Sequence, residues 1–102
     1  MKYHLYNIKN ISVLFVPANT YLQKFKSRIS IYKTIRNNNK PILVLCMGKY
    51  SMKIGENLFN KIYNTIDKSR LHSMKFISYV SANADTMSHD INKFISRTEM
   101  KN

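Results

Sequence analysis

The sequence predicts an α/β domain, a small two-layer βαβαβ sandwich closed by one terminal strand or helix. Three observations predict it. Short apolar runs rich in β-branched residues alternate with longer segments whose apolar residues recur every three or four positions. Only two glycines and two prolines punctuate the chain, so regular elements occupy most of it. Apolar residues make up 44% of the composition, enough for a buried core and too many for a disordered tail. A length of 102 residues suits one domain, with its core between about residues 11 and 98.

Each element has a local reason. Ile11–Val16 (ISVLFV) is apolar and β-branched, closes at Pro17, and reads as a buried strand. Pro17–Thr20 reads as a turn, with Asn19 or Thr20 as a cap for the helix that follows. From Tyr21 to about Arg36, Leu22, Phe25, Ile29 and Tyr32 form one apolar helical face. The Asn37–Lys40 run ends that pattern, and Pro41 disfavours helix at Lys40. Pro41–Met47 (PILVLCM) is apolar without alternation, as in a strand covered on both faces. Ser51 is a candidate cap for the next helix. Between Met52 and Lys68, Ile54, Leu58, Ile62 and Ile66 repeat every four residues, widened by Phe59 and Tyr63. Gly55 sits on that stripe, where its helical cost of about 1 kcal/mol implies close packing against the sheet. Met74–Val80 reads as a third strand. In the last segment Met87, Ile91, Phe94 and Ile95 fit a helix capped by Asp85 or Ser88, while Ile91–Thr98 also fits an edge strand. The polar lead-in before Ile11 carries no element in this reading.

Charge is the strongest clue to partners. The net charge is +12, and the first 55 residues hold ten Lys or Arg and no Asp or Glu. A surface of one sign gains no internal ion pairs and attracts polyanions, nucleic acid first among them. An anionic membrane surface competes for the same field, but no apolar stretch is long enough to span a bilayer, and no membrane partner is expected. The chain start lacks the layout of a signal peptide, and the single Cys46 cannot form an internal disulfide. Both point to an intracellular protein, nuclear or cytoplasmic.

Catalysis is poorly supplied. The five acids are dispersed, and His4, His72 and His89 are isolated from one another and from any CxxC or HxxxH spacing. No enzyme activity, metal or cofactor is expected. Cys46, inside ILVLCM, reads as a small buried hydrophobe. The stretch from Cys46 to Ser51 has the strand–turn–helix setting of a phosphate loop, but it lacks the first glycine of that motif and displaces the Ser. What remains is a basic turn at a helix start, with Lys49 and Lys53 near backbone amides and Tyr50 available to stack.

This stretch, ILVLCMGKYSMKIG, resembles the Alba superfamily of small basic nucleic-acid-binding proteins. In that family a β-α-β-α-β-β fold carries a G-R-A-I-S-K-A turn and helix after its second strand. Gly48 matches the turn glycine, Lys49 the basic residue after it and Lys53 the helix lysine. Gly55 lies near the family's small packing residue. Residue detail is confined to 48–55, and layout extends over 11–98. The chain departs from the family at Val16–Asn19, where basic residues are usual, and at Met47, commonly Arg. The long basic hairpin is replaced by Ala84–Asp90. The resemblance implies a divergent member, near the small RNA-binding protein pairs of ribonuclease P and MRP, working as a homo- or heterodimer.

The expected function is non-catalytic binding of nucleic acid phosphates, RNA favoured over DNA, in a ribonucleoprotein or chromatin complex. The candidate contacts are Lys49, Tyr50 and Lys53, extended by Lys24, Arg28 and Lys40. The alternative is an interaction subunit whose amphipathic helices meet an acidic protein partner.

Overall fold

Four strands form one mixed sheet in the computed structural model, which describes residues 2–23 and 25–100. The strands are β1 (His4–Ile8), β2 (Ile11–Pro17), β3 (Ile42–Met47) and β4 (Met74–Tyr79), in the spatial order β1-β2-β3-β4. β1 runs antiparallel to β2, and β2, β3 and β4 run parallel. Helices α1 (Ala18–Gln23), α2 (Phe25–Asn37) and α3 (Ser51–Thr65) supply the two crossovers. Parallel crossovers share one hand, so strands added in sequence place their helices on the same face. Leu14, Val16, Ile42, Val44 and Cys46 meet Tyr21, Ile31, Ile35, Ile54, Leu58 and Ile62 there. This is the predicted α/β class. β3 is buried from Ile42 to Cys46, because both its faces are covered, as its unbroken apolar run implies.

The final segment is helix α4 (Ala84–Met100). It lies on the reverse face, where Phe94 and Ile95 pack with Ile11, Val13, Leu43, Leu45 and Tyr79. The Tyr79 hydroxyl donates to Asp90 Oδ2 at 2.5 Å. The second strand of an Alba-type terminal hairpin is therefore absent among the described residues, and a helix occupies its place. Its cap is Asn83, whose Oδ1 accepts from Thr86 N at 3.0 Å, rather than Asp85 or Ser88.

Other local expectations shift. The lead-in forms β1 and pairs His4–Ile8 with Ile11–Phe15 across the two-residue turn Lys9–Asn10. Lys9 adopts φ 53°, and Asn10 Nδ2 donates to Thr98 Oγ1 at 2.9 Å, tying the turn to α4. Asn19 and Thr20 lie inside α1 instead of before it. Ser51 is the first residue of α3, preceded by Tyr50 at the N-cap without a side-chain cap. The largest correction concerns the first amphipathic stretch. Leu22, Phe25 and Ile29 are exposed, Tyr32 is half-buried, and Tyr21, Ile31 and Ile35 fill the core. The described helical residues on either side of residue 24 are Ala18–Gln23 and Phe25–Asn37, labelled α1 and α2. The inward face of α2 is built on the i, i+4 pair Ile31 and Ile35, with half-buried Ser27 and Arg28 one turn earlier.

Several cations serve the fold itself. The carbonyls at a helix C-terminus have no helical partners and carry partial negative charge. Arg28 donates to Tyr21 O at 2.6 Å and Leu22 O at 3.1 Å. Arg70 donates to Arg36 O at 2.5 Å and also to Asn38 O, closing α2. Lys68 donates to Tyr63 O near the end of α3 and lies 4.0 Å from that ring's centroid. The ends of α2 and α3 thus meet positive side chains, and Arg28 is held by two backbone carbonyls, which accounts for part of the charge without any external partner.

Candidate functional site

The carboxyl ends of β2, β3 and β4 lie at one edge of the sheet, and the turns that follow them meet there. The Gly48 N–H donates to Tyr79 O at 2.9 Å. A Cβ at Gly48 would lie 3.5 Å from Ala18 Cβ, and its φ of +117° suits glycine alone among common residues. The turn is thereby fixed between β4 and the start of α1. Ligands of open α/β sheets collect at this carboxyl edge. Ser51 N donates to Gly48 O at 3.1 Å, and the first turn of α3 has no side-chain cap. Its remaining amides form a positive pole.

Side chains add charge to that pole. Lys49, Tyr50 and Lys53 are all exposed, and Lys49 Nζ lies 5.5 Å from the Tyr50 ring centroid. Beside them a cleft of about 320 Å³ opens between α3 and the α1–α2 pair. Tyr21, Leu22, Arg28, Tyr50, Lys53, Ile54 and Asn57 line it. Tyr21 is fully buried and its hydroxyl bonds both Tyr32 Oη and Asn57 Oδ1, each at 2.5 Å. Since Asn57 Oδ1 can only accept, Tyr21 donates to it and Tyr32 donates to Tyr21. Burial, then the bond to Tyr32, pushes the Tyr21 hydroxyl well above its ordinary pKa. The Arg28 guanidinium lies 5.0 Å from the Tyr21 ring centroid, held by the carbonyls of Tyr21 and Leu22. Glu56, the acid nearest in sequence, lines a separate groove between α3 and β4.

Of the six residues singled out from the sequence, Arg28, Tyr50 and Lys53 share this cleft, and Lys49 stands at its rim beside Tyr50. Lys40 does not join them. It precedes β3 whereas Lys49 follows it, and a six-residue strand separates the two edges by about 20 Å. Lys24 lies outside the described residues. Tyr21, Leu22, Ile54 and Asn57 were not foreseen as lining, because the cleft arises where two chain segments meet. Tyr21 and Asn57 are 36 positions apart, and no local pattern links them.

Cys46 is wholly buried, and burial pushes its thiol from its ordinary 9.0 up to about 12. A thiol reagent at neutral pH should modify the native protein far more slowly than the unfolded chain. Tyr21 and Tyr79 are displaced upward too, Tyr79 by burial and then by Asp90. All three hold their protons more tightly when folded. Stability from this source is complete below pH 9, where the unfolded thiol begins to ionise, and falls as pH rises towards 12. Denaturant titrations at stepped alkaline pH should show that decline.

Among the described residues, no cluster of His, Cys, Asp and Glu has the arrangement of a metal site, and no helix is long and apolar enough to cross a membrane. Family models, curated proteins and solved structures all return no match to the chain.

Proposed function

We propose that the protein is a non-catalytic nucleic-acid-binding domain, Alba-like in its basic turn, that grips phosphates at the start of α3. One observation carries the reading. Lys49, Lys53 and Arg28 gather with Tyr50 around one cleft beside the uncapped N-terminus of α3. Cations and helix amides together favour phosphate, and the aromatic ring offers a surface for a base. RNA is favoured slightly over DNA as the natural ligand, within a ribonucleoprotein or chromatin complex. Filter binding against salt tests this. Three phosphate contacts on a single strand give a slope of log K against log salt of about −2. No binding at low salt, or a flat response, would end the proposal.

We further propose that two copies pair along β4. The sheet order leaves this strand at an edge, with Phe59, Met74 and Phe76 in a groove on one side and Ile77, Phe94 and Met100 on the other. A monomeric mass by sedimentation at high protein concentration would remove the dimer. A protein partner with an acidic surface is the second reading of function. It is favoured by the exposure of Leu22, Phe25 and Ile29 among lysines, Phe25 being 72% exposed. A stoichiometric partner that survives nuclease treatment would support it.

A further inference from the structure

We infer that the cleft between α3 and the α1–α2 pair takes an unstacked base, so that the ligand is single-stranded nucleic acid, RNA or DNA, rather than duplex. This rests on the phosphate-binding reading above and narrows it. A duplex presents phosphates and groove edges to a protein and keeps its bases stacked inside. Against such a ligand, cations on an even surface would be sufficient. Here the cations instead border a concavity lined by the buried Tyr21 together with Leu22, Ile54 and Tyr50. At about 320 Å³ it lies at the lower end of the range for small-molecule sites, about 300–1,000 Å³, which suits one flat ring system. The site combines what a single strand needs. Tyr50 is half-exposed and offers a ring to stack on beside the Lys49 ammonium, the Arg28 guanidinium is a planar cation held in place by two carbonyls, and Lys49 and Lys53 stand where the flanking phosphates would pass. The side-chain amide of Asn57, a lining residue of the cleft, is oriented by Tyr21, which occupies its Oδ1 and leaves its Nδ2 as a donor. That gives one polar contact for a base edge in an otherwise apolar recess.

The experiment compares four labelled ligands at one salt concentration by fluorescence anisotropy. They are a short oligothymidylate, an oligouridylate of equal length, a duplex of that length, and an abasic strand with the same phosphates. At least one of the two base-bearing single strands should bind about tenfold more tightly than both the duplex and the abasic strand. Tyr50→Ala should erase most of that margin, and Tyr50→Phe should keep it. Because Tyr50 is half-exposed and contributes no side-chain cap, both variants should retain the wild-type thermal midpoint. Equal binding of single strand, duplex and abasic strand would overturn the base pocket while leaving phosphate binding intact. So would a margin unchanged by Tyr50→Ala, or displacement of the strand by polyglutamate as readily as by unlabelled oligonucleotide. Failure of all four ligands to bind would remove both readings.

Discussion

Replacing Lys49 and Lys53 together by Glu should weaken nucleic-acid binding by about a hundredfold at low salt. The paired change Lys93→Glu, Arg97→Glu should alter it by less than about threefold. Both pairs shift the net charge equally, so any difference measures position and not total field. Lys49 and Lys53 flank the amides at the start of α3, where their reversal turns an attractive pole into a mixed one. Lys93 and Arg97 lie on α4, across the sheet from that helix layer, in a segment that already holds Asp85, Asp90 and Glu99. Charges further apart than a Debye length, about 10 Å at 0.1 M salt, are largely screened. The salt slope supplies a second reading, since losing two phosphate contacts on a single strand should flatten it by about 1.4. Lys40→Glu should behave like the α4 pair, because the length of β3 separates it from the cleft. Lys49 and Lys53 are exposed, and their replacement should leave the unfolding transition in place. If both charge-reversal pairs weakened binding alike, the protein would be acting as a diffuse polycation with no particular interface.

The strands legible in the sequence were those whose chemistry is local. The run of Pro41–Met47 is apolar at every step because helices cover β3 on both faces, and that pattern needs no knowledge of partners. The stripe of Ile54, Leu58 and Ile62 was equally plain, since α3 is one uninterrupted helix with a single phase. β1 was hidden because its stability comes from elsewhere. Four of its five residues are exposed, its turn is Lys9–Asn10 with no glycine, and it is held by pairing to β2 and by Thr98 from the far end of the chain. The inward face of α2 was hard to read because half-buried Ser27 and Arg28 stand on it one turn before Ile31, while the apolar Leu22, Phe25 and Ile29 point to solvent. The turn at Gly48 was visible as a glycine between a strand and a helix. The cleft beside it was not, since Tyr21 and Asn57 come together only through the β2–β3 crossover. Charge counting also overstated the free cations, since Arg28, Arg70 and Lys68 are held by backbone carbonyls, the last two near the ends of α2 and α3.

Gly55→Val should be the most damaging single change near the site, lowering stability by about 3 kcal/mol through overpacking. A Cβ on Gly55 would stand 2.6 Å from Ser78 Oγ and 3.7 Å from Cys46 Sγ. That hydroxyl cannot simply turn aside, because it donates to Ser51 O at 2.9 Å and ties the first turn of α3 to β4. Valine brings two further methyl groups into this contact, so α3 must lift from the sheet and loosen Ile54 and Leu58, which are buried beside it. At 4–8 °C per kcal/mol for a domain of this size, the thermal midpoint should fall by roughly 10–25 °C. Gly55→Ala separates the contributions. It gains up to about 1 kcal/mol of helix propensity and loses the Ser78 bond or the fit, so in the natural background it should be neutral or destabilising. In a Ser78→Ala background the obstructing oxygen is gone and the new methyl group faces Ser78 Cβ at 4.0 Å, an ordinary contact. There Gly55→Ala should stabilise. The double-mutant cycle should thus give a favourable coupling of about 1–2 kcal/mol, measured by denaturant unfolding. Additive effects would mean that α3 does not sit this close to β4. The lysines and the tyrosine at its N-terminus would then not hold the positions on which the cleft depends.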